Sequence, residues 1–230
     1  MKNKIRALIG VSFIFLISAF SVAWYLNSGG CKQGKCGPED AMASVTYSVC
    51  ISGDSLAYGL GDSAGGWASR LENYLSQEYS GSSIGNYSLI GATVRDVSNN
   101  YDAGCGSQQA DISILAVGIN DTSHSIGKEV FVNNLNELYK KASKSSPTVV
   151  FVGLTSVNES LLNGLNYRNQ SIADYDEAMK DFASSVGAKY IEMRNVLDDN
   201  DFSEDGLHPN DAGHEKMFLK IKDFVETTGK

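Results

Sequence analysis

Apolar residues along this chain follow two periods that alternate. Short runs rich in β-branched and aromatic residues predict buried strands at residues 46–51, 84–90, 112–117, 149–154 and 190–193. Between and after these runs, apolar residues recur every three or four positions, which predicts helices at residues 67–79, 94–101, 130–142, 172–186 and 212–225. Alternating strands and helices imply right-handed parallel crossovers, with helices on both faces of the sheet. The pattern therefore predicts a three-layer α/β/α sandwich around a parallel five-stranded sheet.

Polar and glycine residues just after the predicted strands mark a candidate site. In open parallel sheets, sites form beyond the carboxyl ends of the strands. Ser55, Gly91 and Asn120 follow the first three strands, and residues 205–208 precede the last helix. We therefore expect them to converge on one rim of the sheet. Residues 154–169 form the longest irregular connection, which we interpret as a solvated surface loop, with a pocket wall or lid as the alternative.

The start of the chain has a pattern of its own. Lys2, Lys4 and Arg6 precede residues 7–26, which carry no charge and are rich in Ile, Leu, Phe and Val. This length can span a bilayer, so we predict a membrane anchor. The small residues at 21–23 also fit a leader-peptidase site, so a cleaved signal peptide is the alternative. A lipoprotein attached at Cys31 is a third alternative, although residues 28–30 lack the apolar residue that such a site usually has. In each case the basic flank stays inside and the rest of the chain is exported.

The chain thus divides into three parts. Residues 1–26 form the signal-anchor or signal peptide, residues 27–44 form a Gly-rich linker, and residues 45–230 form one catalytic domain. The exported domain would face the extracytoplasmic side of the membrane, or be periplasmic or secreted after cleavage. Membrane contact is expected only through an uncleaved N-terminal segment.

Composition and net charge limit the classes of molecule that this chain is expected to bind. The 230 residues are 42% hydrophobic and 20% charged, which is ordinary for a globular domain. The formal net charge of -8 argues against a nucleic-acid partner and gives no attraction to anionic lipid surfaces.

Four cysteines allow three disulfide pairings. Cys31 and Cys36 could close a small loop in an oxidising compartment. Cys50 lies in a predicted core strand, where we expect a small buried hydrophobe, although it could also pair with Cys105. A structural zinc site needs four ligands at suitable spacing, so we expect no metal.

A serine, a histidine and an aspartate, which together can form a catalytic triad, lie near opposite ends of the domain. Ser55, within Gly-Asp-Ser-Leu, can act as the nucleophile, and His208 can take its proton. Pro209 disfavours helical geometry at His208, so a turn can bring Asp205 to the imidazole Nδ1. The backbone N–H of Ser55 could stabilise an oxyanion, although a serine here could also simply cap the next helix.

Gly91 and Asn120 offer two more oxyanion donors, one from the backbone and one from a side-chain amide. Each could also be an ordinary turn residue.

Four segments resemble the ordered sequence blocks of the SGNH hydrolases, also called GDSL esterases and lipases. They are residues 52–56, Gly91 within Asn-x-Ser-x-x-Gly-x-Thr, residues 118–121 and residues 205–209. The resemblance spans residue 46 to the C-terminus. It implies a flavodoxin-like sandwich, a Ser55-His208-Asp205 triad, an oxyanion hole from Ser55, Gly91 and Asn120, and neither a metal nor an organic cofactor.

The expected function is hydrolysis of acyl or acetyl esters by an exported serine esterase through an acyl-enzyme on Ser55. The substrate would be a small-molecule or glycan ester. Alternatives are a cell-envelope polysaccharide O-acyltransferase that uses the same triad, and a glycan-binding module without turnover. His124 is expected at a helix start or at the surface, with a place in the substrate cleft as the alternative, and His214 is expected on the surface of the last helix.

Overall fold

Five apolar runs pair side by side as parallel strands in the computed structural model, which describes residues 45–228. The strands are β1 (Ser48–Gly53), β2 (Ser83–Asn86), β3 (Ile112–Ala116), β4 (Thr148–Val152) and β5 (Lys189–Ile191). Their order in the sheet is β2-β1-β3-β4-β5. This is the flavodoxin-like order, so the predicted fold class is confirmed.

Seven α-helices accompany these strands in the described part of the chain. They are α1 (Ser55–Tyr58), α2 (Gly66–Glu78), α3 (Val94–Asn100), α4 (Ile119–Ser123), α5 (Lys128–Ser145), α6 (Asn169–Val186) and α7 (Asp211–Thr228). Short 3-10 segments lie at Tyr101–Ala103, Cys105–Ser107 and Asp199–Asp201. The sequence did not predict α1 and α4, because helices of four and five residues are too short to show a helical period.

The sheet separates two apolar cores. In β1, Val49 and Ile51 point to one core while Cys50 points to the other, as alternation along a strand requires. One core is closed by apolar side chains of α2 and α7, and the other by those of α3, α5 and α6. The result is the three-layer arrangement, with helices on both faces.

Strand β2 is shorter than predicted. The sequence indicated a strand over residues 84–90, but regular pairing ends at Asn86. The N–H groups of Tyr87 and Leu89 still donate to carbonyls of β1, at 2.8 and 2.9 Å. The chain therefore continues along β1 as an irregular segment and reaches Gly91 at the carboxyl edge of the sheet.

A disulfide joins β1 to the segment after α3. Cys50 and Cys105 are bonded, with their Cα atoms 5.6 Å apart, and both are buried. Cys50 is therefore not the unpaired small hydrophobe that we expected, and the structure adopts the pairing that the sequence left open.

The predicted N-terminal segment (1–26), the linker (27–44) and the pair Cys31 and Cys36 lie outside the described residues. Across residues 45–228, no helix is both long and apolar enough to cross a membrane.

Candidate active site

The turn that carries Ser55 is built by the close approach of β1 and β3. A Cβ atom on Gly53 would lie 2.3 Å from the carbonyl oxygen of Ala116, so only glycine fits. The N–H of Asp54 donates to that same oxygen at 3.1 Å. Asp54 Oδ1 then accepts the N–H of Leu56 at 3.0 Å and caps α1. The cap is therefore Asp54, and the hydroxyl of Ser55 is left for other partners.

Ser55, His208 and Asp205 form one hydrogen-bonded line. Ser55 Oγ lies 2.9 Å from His208 Nε2, and His208 Nδ1 lies 2.6 Å from Asp205 Oδ2. Because the carboxylate only accepts, Nδ1 carries the proton and Nε2 is left to accept the serine hydroxyl. This is the geometry that a general base needs beside a nucleophile.

The acid and the base belong to one tight turn. Asp205 Oδ1 accepts the backbone N–H groups of Leu207 and His208, both at 2.9 Å. Burial raises the pKa of the Asp205 carboxyl, but the hydrogen bonds from His208 and Leu207 outweigh it, so the net pKa lies below the ordinary value. The carboxylate therefore stays ionised beside the imidazole at neutral pH.

The structure also brings the predicted oxyanion donors together. Gly91 has a φ of 76°, and a Cβ atom there would meet open space. The side-chain amide of Asn120 donates from Nδ2 to the carbonyl oxygen of Ala92 at 3.0 Å, which places this amide beside Gly91. An amide nitrogen carries two N–H groups, so the second remains for a substrate oxygen.

Asp121 holds the same segment from its other side. Its Oδ2 accepts the N–H of Val94, the first residue of α3, at 3.0 Å. Its Oδ1 is buried and has no hydrogen-bond partner within residues 45–228. Asn120 and Asp121, consecutive residues of α4, thus both hydrogen-bond to the backbone of residues 92–94. The sequence did not indicate this role for Asp121.

Two buried carboxyls, those of Asp54 and Asp121, are direct sequence neighbours of Ser55 and Asn120 and have raised pKa values. Burial raises the pKa of Asp54 to about 7, although N–H groups of Leu56 and Gly118 lower it, and the charge of Asp121 raises it further. Burial likewise raises the pKa of Asp121 to about 6. Each carboxyl is therefore considerably harder to ionise in the fold than in the unfolded chain.

Residues 154–169 are not the solvated loop that we expected. Val157, Leu162 and Tyr167 are buried, and the N–H of Asn158 donates to the carbonyl of Gly206 at 2.8 Å. The segment is thus a wall that packs against the acid–base turn. No period or motif marked it, because its contacts are made with residues distant in sequence.

His214 is also not at the surface as we expected. It is fully buried, its Nδ1 accepts the N–H of Trp67 at 3.3 Å, and its Nε2 donates to the carbonyl of Leu60 at 3.2 Å. Burial lowers its pKa. The signal was present in the sequence, since His214 shares one helical face with Met217 and Ile221.

His124 is exposed, and its Nδ1 lies 2.8 Å from the backbone carbonyl of Asn120. In the part of the chain that the structure describes, no group of three or more His, Cys, Asp or Glu side chains could hold a metal ion.

Comparison with known proteins shows a family whose sequence pattern this chain matches. The model of the GDSL-like lipase/acylhydrolase family matches residues 51–216. The chain is similar to a multidomain esterase from Ruminococcus flavefaciens, with 28% identity over 221 residues. That match covers 78% of this chain but 28% of the esterase, so the chain spans less than a third of that relative's length.

Solved structures share the fold. A lipase/acylhydrolase from Enterococcus faecalis superposes with a TM-score of 0.68 at 17% identity, over 79% of this chain and 96% of that chain. An acetylxylan esterase from Geobacillus stearothermophilus gives a TM-score of 0.66 at 16% identity, over 81% and 97% of the two chains.

The raised pKa of Asp54 predicts how stability changes with pH. Between about pH 4 and pH 7, the folded protein holds a proton that the unfolded chain has released, so the free energy of unfolding falls as pH rises. Asp54→Asn keeps an oxygen for the Leu56 N–H but cannot ionise. We expect its stability relative to wild type to rise by on the order of 2–4 kcal/mol between pH 4 and pH 8, measured by urea unfolding. Loss of the acceptor for the Gly118 N–H displaces the whole curve and leaves this rise unchanged.

Asp54→Ala provides the matched comparison, because it removes the charge and the cap together. Its free energy of unfolding should follow the same pH trend as that of Asp54→Asn, but lie about 1 kcal/mol lower. Wild-type and Asp54→Asn curves that run parallel across this range would contradict the expected titration.

Proposed function

Because the chain belongs to the GDSL-like lipase/acylhydrolase family, we propose that it is a carboxylic ester hydrolase: an exported serine esterase that cleaves acyl or acetyl esters through an acyl-enzyme on Ser55. The observation that carries this proposal is the continuous line of hydrogen bonds from Asp205 through His208 to Ser55.

The first half of the reaction forms the acyl-enzyme. Ser55 Oγ attacks the ester carbonyl carbon while its proton passes to His208 Nε2. Negative charge moves onto the carbonyl oxygen, where the N–H groups of Ser55 and Gly91 and the amide of Asn120 would receive it. The bond to the alcohol oxygen then breaks, and His208 returns the proton to the leaving alcohol.

The second half releases the acid. Water gives a proton to His208 Nε2 as its oxygen attacks the acyl carbon, and collapse of the second tetrahedral intermediate restores the Ser55 hydroxyl with that proton. Asp205 remains an acceptor throughout and stabilises the imidazolium in each half. The net change is one ester and one water converted to an acid and an alcohol.

Exposed apolar side chains lie on the segments that carry or contact the site residues. We call the following five residues, which are between 37% and 58% exposed, the apolar rim: Leu60, Leu89, Ile90, Leu161 and Leu165.

Backbone contacts tie this rim to the triad. The N–H of Leu60 donates to the Ser55 carbonyl at 3.0 Å, and that of Leu89 donates to the last residue of β1 at 2.9 Å. A Cβ atom on Gly206, inside the acid–base turn, would lie 2.8 Å from the Cβ of Leu161. Apolar surface clustered around a polar centre is typical of ligand sites, and it supports an ester whose acyl or alcohol part is apolar.

Two features support export. The basic and apolar pattern of residues 1–26 is typical of a signal-anchor or signal peptide. The disulfide between Cys50 and Cys105 is of a kind that persists mainly in oxidising compartments.

Replacing Ser55 with alanine should abolish turnover, because the variant lacks the nucleophile. We expect kcat on p-nitrophenyl esters to fall by at least about 10⁴-fold. A stoichiometric p-nitrophenyl alkyl phosphonate should transfer its phosphonyl group to the wild-type chain and release p-nitrophenol, and peptide mapping should locate the added mass on Ser55.

The matched control is Ser76→Ala, since Ser76 is an exposed serine of α2 whose hydroxyl bonds the carbonyl of Asn73. It should turn over like wild type. Full activity in Ser55→Ala would remove this serine from the nucleophile role. Recovery of the acyl group on an added oligosaccharide, and not as free acid, would identify transfer in place of hydrolysis.

The apolar rim predicts a preference that depends on the length of the acyl chain. Leu161→Ser should lower kcat/KM for an octanoyl ester by about fivefold and leave an acetyl ester nearly unchanged, since a partly buried leucine contact contributes about 1 kcal/mol. Leu219→Ser changes another exposed leucine, on α7, and should affect neither ester. An equal loss on both esters would mean that Leu161 does not contact the acyl chain.

Export predicts the location of the full chain in a bacterial host. We expect it to fractionate with the membrane, or with the periplasm or medium if the leader is cut, and the mass of the purified chain distinguishes these two. Protease added to spheroplasts should digest the membrane-bound form. A chain that stays in the cytoplasmic fraction and is protected from that protease would contradict export.

A further inference from the structure

We propose that Tyr167 is a positioning residue that holds the amide of Asn120 in the orientation in which it stabilises the oxyanion. This inference rests on the proposed esterase function, in which Asn120 donates to the substrate oxygen. Tyr167 belongs to the irregular segment between β4 and α6, far in sequence from each of the predicted site residues.

The contact is direct and buried. The hydroxyl of Tyr167 donates to Asn120 Oδ1 at 2.9 Å, while Asn120 Nδ2 donates to the carbonyl of Ala92 at 3.0 Å. Tyr167 is 7% exposed and Asn120 is 5% exposed. The amide is therefore fixed at both of its polar atoms, in a place where water cannot easily replace either partner.

These two bonds decide which atom of the amide faces the substrate. A flipped amide would bring Oδ1 against the carbonyl oxygen of Ala92, which places two acceptors together. The hydroxyl of Tyr167 donates to one of the two lone pairs of Oδ1 and restrains rotation of the side chain about its own bonds. It also polarises the amide, which strengthens the remaining N–H as a donor.

The hydroxyl is suited to remain a donor. Burial raises the pKa of Tyr167, and the nearby charges of Asp54 and Asp205 raise it further, although a hydrogen bond with Ser123 lowers it. The same segment is anchored beside Asn120 by a second bond, from Asn166 Nδ2 to the carbonyl of Ser123 at 3.1 Å. Residues 154–169 thus contribute a hydrogen bond to Asn120 as well as packing against the acid–base turn.

A double-mutant cycle tests the proposal. Tyr167→Phe removes one hydroxyl and should lower kcat on a p-nitrophenyl ester by about fivefold to tenfold, with KM within about twofold. Asn120→Ala should lower kcat by about 100-fold or more. In the Asn120→Ala background, Tyr167→Phe should cause no further loss, because the group that it positions is gone.

The control is Tyr139→Phe, whose hydroxyl donates to the carbonyl of Val186 at 3.0 Å away from the site. It should keep the wild-type kcat. Titration of reactive Ser55 with an alkyl phosphonate normalises each kcat to the folded fraction, so partial misfolding cannot imitate the effect.

Two outcomes would overturn the role of Tyr167. One is a wild-type kcat in Tyr167→Phe. The other is the same fold loss with and without Asn120, which would indicate a general structural contribution. Both differ from failure of the proposed function itself, in which Ser55→Ala would retain turnover.

Discussion

The close approach between the ends of β1 and β3 is the contact on which the candidate site depends. At Gly53 there is no room for a Cβ atom beside the Ala116 carbonyl, and the chain turns there into α1. Strand β3 continues from the same contact through Gly118 into α4. The separation between Ser55 and Asn120 is therefore set by two adjacent strands, and regular elements position side chains more precisely than loops do.

Buried polar groups, together with apolar packing, hold the site around that contact. Asp54 and Asp121 are both nearly inaccessible to solvent, and each accepts a backbone N–H that shapes a site segment. Buried carboxyls destabilise a fold whenever they must ionise. Their presence here indicates that stability has been exchanged for the positions of Ser55 and of the loop at Gly91.

The sequence predicted the sheet well because each strand and each long helix carries its own period, and the match to the GDSL-like family confirms the family resemblance. It placed Ser55, His208 and Asn120 at the correct edge because parallel topology brings strand ends together. Tyr167 could not be found in this way, since its partner lies 47 residues away and its segment has no period. His214 is a different case, because the helical face that it shares with Met217 and Ile221 was readable from the sequence. Its hydrogen-bond partners, the Trp67 N–H and the Leu60 carbonyl, are distant in sequence and were not.

The turn that joins Asp205 to His208 has a practical consequence for capturing ligands. Its hydrogen bonds are internal, so the imidazole is held in place whether or not a serine hydroxyl faces it. A chain with alanine at position 55 would thus keep the acid–base turn in its present geometry while lacking the proposed nucleophile. Under the proposed mechanism it would release a bound ester uncleaved, so soaking or mass-spectrometric pull-down with such a chain offers a direct route to the substrate.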